Sequence, residues 1–254
     1  MSSIIRRYSM PDNVNPDAMR LDVLAIAAHP DDVEITCGGT LIKLAQMGRA
    51  VGVLDLTAGE MGTLGDENDR WQEASDAAKA MGLAWRGQLG LPDSAIQNDQ
   101  TSRLKLARMI RDTMPELVIL PHWEQRHPDH VACSQLGYDA CFLAGLKKLD
   151  IEGDPHRPRK IIYASYFRNT DSSFLVDISD QFDAKCDAVR AYKSQFGNVV
   201  TAKQIFQPGI DIYELMQHRA AVLGQMANVR YAEAFTIKEP ILIDDPQNMP
   251  VRSV

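Results

Sequence analysis

The feature that most constrains the fold of this chain is a fourfold alternation between Leu21 and Gly145. Short apolar runs take turns with longer segments of helical spacing. "LDVLAIAA" (Leu21–Ala28) is a strand-length apolar run bounded by turn chemistry. "GGTLIKLAQMGR" places Leu41, Leu44, Ala45 and Met47 at helical spacing, with Gly48 as a stop. "AVGVLDLTAG" reads as a second strand. "DRWQEASDAAKAMG" reads as a second helix, with Asp69 as its N-cap and Gly82 at its C-terminal end. "AWRGQLG" and "ELVILP" are further strands, and "DQTSRLKLARMIRDTM" and "DHVACSQLGYDACFLAG" further helices. Such alternation predicts parallel strands with helices on both faces of the sheet.

The expected fold is therefore α/β and Rossmann-like, with a mostly parallel sheet. Ligands of such sheets sit beyond the carboxyl ends of the strands. The loops "HPDD", "TAGEMGT", "LPD" and "PHWEQRHPDH" should then open on one edge. After about residue 150 the pattern loosens. "KIIYASYF" and "SFLVDIS" read as strands, and 177–192 and "DIYELMQHRAAVLGQM" as helices. With no Gly/Ser-rich linker or repeat, residues 20–254 read as one domain, whose last third completes the sheet and roofs the crevice. Residues 1–19, polar and interrupted by Pro11 and Pro16, read as a lead-in. Met81, Met109, Met114 and Met226 are core candidates.

A net charge of −7 leaves no basic stripe for nucleic acid or an anionic membrane. The densest basic cluster, "HRPRK" (His156–Lys160), reads as a solvated loop. No apolar run is long enough to span a bilayer, and the first 19 residues lack an apolar h-region. Cys37, Cys133, Cys141 and Cys186 form no C-x-x-C pair, so neither a disulfide framework nor an export signal is expected, and the expected compartment is the cytoplasm.

Chemistry concentrates in two of the strand-end loops. His29 and Asp32 are three apart after the first strand, and His127 and His130 three apart after the fourth. Three ligands drawn from His and carboxylate, with a position left for water, make a catalytic zinc site. His29, Asp32 and His130 can supply them, and iron(II) suits the same donors. A dication would also offset the adjacent charges of Asp31 and Asp32. A lone loop His or helix-capping Asp is usually structural; it is the convergence of both loops on one edge that favours a metal. Phosphate binding at "CGGT" is disfavoured, because Asp31, Asp32 and Glu34 repel an anion and no G-x-G-x-x-G is present.

"AHPDD" after an early strand and "HPDH" about a hundred residues later resemble the LmbE-like (PIG-L type) zinc-dependent N-acetylglucosaminyl deacetylases. "GGTL", "RWQEA", "LGLPD" and "YAEAF" extend the resemblance along the chain. "FLVDISDQFDAKCDAVRAYKSQF" is similar to the branch that deacetylates N-acetylglucosaminyl-malate in bacillithiol biosynthesis. The resemblance implies zinc on His29, Asp32 and His130, Asp31 as general base, and His127 assisting at the oxyanion or leaving group. It further implies Asp129 as an orienter of a histidine, Arg70 as a sugar contact, and self-association into a homo-oligomer. Asp93, in "LGLPD", is a candidate for hydrogen bonds to sugar hydroxyls. Ala58 departs from the basic residue that many members carry before the Gly-Glu after the second strand. The alternatives are an amidase of a glucosaminyl thiol conjugate, a deacetylase of another amino sugar, or a metal-dependent sugar-binding protein without turnover.

Overall fold

The computed structural model describes residues 20–166, 171–197 and 211–251. The expected lead-in over residues 1–19 lies outside them. Seven strands form one sheet: β1 (Val23–Ala27), β2 (Val51–Asp55), β3 (Trp85–Gln88), β4 (Leu117–Pro121), β5 (Lys160–Ala164), β6 (Phe174–Asp177) and β7 (Ala232–Thr236). Their order is β3-β2-β1-β4-β5-β7-β6. The first five are parallel, while β7 runs antiparallel to both β5 and β6.

Every residue of β1 is buried, as a central parallel strand covered on both faces requires. Its alternation sorts the core. Leu24 and Ile26 face a cluster shared with α3 (Gln100–Thr113) and α4 (Pro128–Ala144). Val23, Ala25 and Ala27 face the opposite cluster, shared with α1 (Asp32–Gln46) and α5 (Phe182–Arg190). A third cluster lies outside that layer. It joins α2 (Glu67–Met81), α5, α6 (Lys193–Phe196) and α7 (Ile212–Met226).

Four details differ from expectation. α1 starts at Asp32, well before the glycines, and kinks at Cys37, where φ is −136°. The kink frees the N–H groups of Gly39 and Thr40, and both donate to the Glu233 carboxylate of β7, at 2.9 and 2.7 Å. Lys185 of α5 donates to the same carboxylate at 2.6 Å. Gly39 is required there by contact, because a Cβ would meet Ile178 at 2.8 Å. Second, the N-cap of α2 is Asp66, and Asp69 is its partner in a reciprocal capping box. Third, Met226 is exposed, at the end of α7 where the helix leaves the core. Fourth, β7 sits inside the sheet, between β5 and β6, where the sequence pattern placed no strand.

Behind the β1–α1 turn lies a fully buried ionic network. Arg86 of β3 donates to both oxygens of Asp55, at 2.8 and 2.9 Å, and to Glu34 of α1. Tyr192 donates to the same Glu34 oxygen at 2.8 Å. Glu34 is thus a buried anchor for the first turn of α1.

Candidate active site

The strand order reverses between β1 and β4, which are neighbours in the sheet but far apart in sequence. The loops that leave them diverge and open a crevice, the place where such folds bind ligands. After β1 the chain turns through His29, Pro30 and Asp31. Asp31 has φ 103°, in the left-handed region that L residues other than Asn and Asp rarely adopt. Arg70 of α2 holds this strained turn: its Nη2 donates to the Pro30 carbonyl at 2.6 Å and to the Asp31 carboxylate at 3.3 Å. Asp32 Oδ2 accepts from the His29 N–H at 2.9 Å and closes the turn from the other side. Across the crevice His127 is the N-cap of α4, with Pro128 in its first turn. Its Nδ1 accepts from the Asp129 N–H at 3.2 Å, so a neutral His127 carries its proton on Nε2.

These two turns bring the predicted ligands together. His130 Nε2 lies 3.1 Å from Asp32 Oδ1, and His29 Nδ1 lies 3.4 Å from Asp32 Oδ2. Ligand atoms of His29, Asp32 and His130 all fall within 4.8 Å of one another. His29, His127 and Asp129 meet the same limit. Two imidazoles and a carboxylate are fitting donors for zinc or iron(II). The other ring nitrogen of His29, Nε2, faces Asp93 Oδ1 at 3.1 Å and Asp129 Oδ2 at 3.4 Å.

The electrostatics favour a cation. Burial works against charge on His29, yet Asp32 and Asp93 raise its imidazole to about 11. Burial likewise opposes ionisation of Asp32, and His130 and His29 still hold that carboxyl well below its usual range. Burial pushes Asp31 up to about 7; Arg70 opposes the shift, while Asp32 and Glu34 add to it. His127 falls below the ordinary imidazole range through burial and the neighbouring His29 and His130. That shift favours the neutral ring, whose Nε2–H is its one donor.

Arg70 and Asp93 both line the cavity, which measures about 700 Å³ among the described residues. Arg70 is buried, and its Nε and Nη1 have no hydrogen-bond partner. Both oxygens of Asp93 are engaged by the protein itself, Oδ1 with His29 and Oδ2 with the Met61 N–H at 2.9 Å. These contacts hold its carboxyl at about 2. Asp93 is thus placed to hold His29 rather than to be free for a sugar hydroxyl. Gln125, Arg126 and Tyr166 also line the cavity and were not singled out from sequence. The signal for the first two was their place in the same loop as "HPDH".

A model of the family described as PIG-L, GlcNAc-PI de-N-acetylase, matches residues 24–141. The diacetylchitobiose deacetylase of Thermococcus kodakarensis is 32% identical over 83% of this chain and 80% of its own. The chain belongs to the PIG-L family. That family comprises N-deacetylases, and this member is an enzyme of that kind. The crystal structure of a conserved protein from Thermus thermophilus superposes with a TM-score of 0.80 at 39% identity, covering 88% of this chain and 97% of that one. A probable N-acetyl-alpha-D-glucosaminyl L-malate deacetylase 2 of Bacillus anthracis is 25% identical over 74% of this chain and 88% of its own. Among the described residues no helix is long and apolar enough to cross a membrane.

Proposed function

We propose that this PIG-L member removes the N-acetyl group from an N-acetylglucosaminide, giving acetate and a free amine. One observation carries the reading: His29, Asp32 and His130 converge on a common point, with Asp31 beside them at the cavity floor. When bound there, zinc or iron(II) supplies Lewis acidity toward the amide carbonyl and acidifies water. His29 Nδ1, Asp32 and His130 Nε2 would hold the ion. Asp93 and Asp129 accept from His29 Nε2–H and so keep Nδ1 turned to the ion, the arrangement that fixes a ligand's tautomer and raises its basicity.

Asp31 accepts the proton of the attacking water. Its neighbour Asp32 diverges toward the ion, and Arg70 keeps the Asp31 carboxylate in place. His127 donates a hydrogen bond from its Nε2–H to the developing oxyanion. The proton that Asp31 took from water passes to the departing nitrogen. Asp129 accepts from the Ile96 N–H at 3.4 Å and ties the α4 turn to the β3 loop. Arg70 lines the cavity beside Asp31 and is the candidate sugar contact on that wall.

The malate glycoside is the first candidate substrate. Arg126 is exposed at the cavity and has no acidic partner among the described residues, which suits an anionic aglycone. Diacetylchitobiose is the second, favoured by the 32% identity to a deacetylase of that sugar. Acetate release from both, and from free N-acetylglucosamine, measured with and without a chelator, tests the proposal. Chelator-sensitive release from a glycoside is expected. A metal-loaded chain that binds these sugars and releases no acetate from any of them is a binding protein, and the proposal fails.

A further inference from the structure

We propose that Tyr192 is a positioning residue for Asp31, reaching it through Arg70 on one side and through Glu34 on the other. The inference rests on Asp31 as the base and names what keeps that base in register.

Asp31 needs outside support. Its backbone sits at φ 103°, a conformation that persists only where the surrounding structure holds it. Two supports are at hand. Arg70 Nη2 donates to the Pro30 carbonyl at 2.6 Å and to the Asp31 carboxylate at 3.3 Å. On the other side the first turn of α1 begins. There the Ile35 N–H donates to the Asp31 carbonyl at 3.1 Å, and Glu34 is the buried anchor.

Both supports converge on one side chain. The Arg70 guanidinium lies over the Tyr192 ring, 5.7 Å from Cζ to the centroid, and the Tyr192 hydroxyl donates to Glu34 Oε1 at 2.8 Å. Each contact answers a need. Arg70 is buried with Nε and Nη1 unpartnered, so the face of an aromatic ring offsets part of the cost of its charge. Arg86 divides a single positive charge between Asp55 and Glu34, so Glu34 gains from a second donor. A phenylalanine would meet only the first need, and an aliphatic residue neither.

Tyr192 is fully buried at the turn between α5 and α6. Ser194, two residues on, fixes that turn to α2. Its N–H and Oγ donate to the two oxygens of Glu73, at 2.6 and 2.7 Å, close along the helix to Arg70. Tyr192 is not among the residues that line the cavity, so any effect it has on turnover must pass through the groups it supports.

The test is a double-mutant cycle in the zinc-loaded full chain, reading acetate release from the glycoside the wild type prefers. Tyr192→Phe keeps the ring in the core and loses only the hydroxyl. It should lower kcat roughly tenfold, with KM and zinc affinity within about threefold of wild type. Tyr192→Leu, which also strips the ring from Arg70, should lower kcat about a hundredfold and raise KM as well. Placed on Asp31→Asn, Tyr192→Phe should cost less than about twofold further, since the group it positions is already gone. Amide exchange supplies an arm that needs no substrate. In Tyr192→Phe the first turn of α1 should exchange about tenfold faster than in wild type, while the first turn of α4 keeps its rate. Wild-type turnover in both Tyr192 variants overturns the proposal. So does the full loss repeated on Asp31→Asn, or equal acceleration at both helix starts, either of which would make Tyr192 a general support of the fold. Wild-type turnover in Asp31→Asn alone is a different failure: the base assignment falls, and the positioning role with it.

Discussion

Replacing Asp93 by alanine removes the carboxylate that faces His29 Nε2 at 3.1 Å. Two effects follow at the ion. The His29 ring loses its nearer acceptor, leaving Asp129 at 3.4 Å to hold the tautomer alone. One negative charge also leaves the surroundings of a dication. Loss of a partner that orients a metal-bound histidine typically costs 10–100-fold in metal affinity, about 1.4–2.7 kcal/mol. The surviving contact with Asp129 argues for the lower half of that range. The Met61 N–H is left without its acceptor as well, which loosens the β2 loop along the cavity wall. Zinc affinity of Asp93→Ala, measured by competition with a chromophoric chelator, should fall roughly 10–30-fold. Asp93→Asn keeps an acceptor oxygen and should recover most of the loss. The KM for the sugar, measured at saturating zinc, should change little. An Asp93→Ala chain that binds zinc as tightly as the wild type, with KM raised tenfold, would refute the orienting role and make Asp93 a sugar contact.

The other predictions concern the base, a ligand and the scaffold. Asp31→Asn should retain metal and lower kcat by about 10²–10⁴, the usual contribution of a general base; wild-type turnover would remove Asp31 from that role. His130→Ala deletes one of three ligands, and elemental analysis should find it largely metal-free at stoichiometric zinc; full occupancy would break the ligand assignment. Glu233→Gln strips the buried Lys185 of its counter-charge. The expected loss is about 3–5 kcal/mol, seen as a lower denaturation midpoint with an unchanged slope. A loss under about 1 kcal/mol, the value of an ordinary hydrogen bond, would mean that Lys185 finds another partner.

Much of this architecture could be read from the residues, for local reasons. The first four strand–helix units announce themselves by apolar runs and helical spacing. Parallel topology then puts the loops after β1 and β4 on one edge, and with them His29, Asp32, His127 and His130. The misreadings are just as specific. Gly38 and Gly39 look like helix breakers, which sets the expected start of α1 too late. The helix passes through them because β7 supplies acceptors for the N–H groups its kink leaves free. "AEAF" drew no strand assignment, yet it is β7, and its Glu233 is buried against α1 and α5. No neighbour of Glu233 in the sequence signals that partnership. Asp69 and Asp66 are both sound capping residues three apart, and only the reciprocal hydrogen bonds tell which one is the cap. The role of Asp93 depends on how close β3's loop comes to His29, a distance that spacing does not encode.

The clasp at Glu233 has a consequence for how the enzyme matures. All of its proposed metal ligands lie within the first 130 residues, yet the helix that begins at Asp32 is braced by a side chain about two hundred positions later. A chain emerging from the ribosome exposes its imidazoles and carboxylates long before it can lock them in place. Contacts of such long sequence separation form late in folding. Firm capture of an ion would thereby be deferred until β7 has been made, and a product truncated before it would carry the donors without the rigidity to keep a metal.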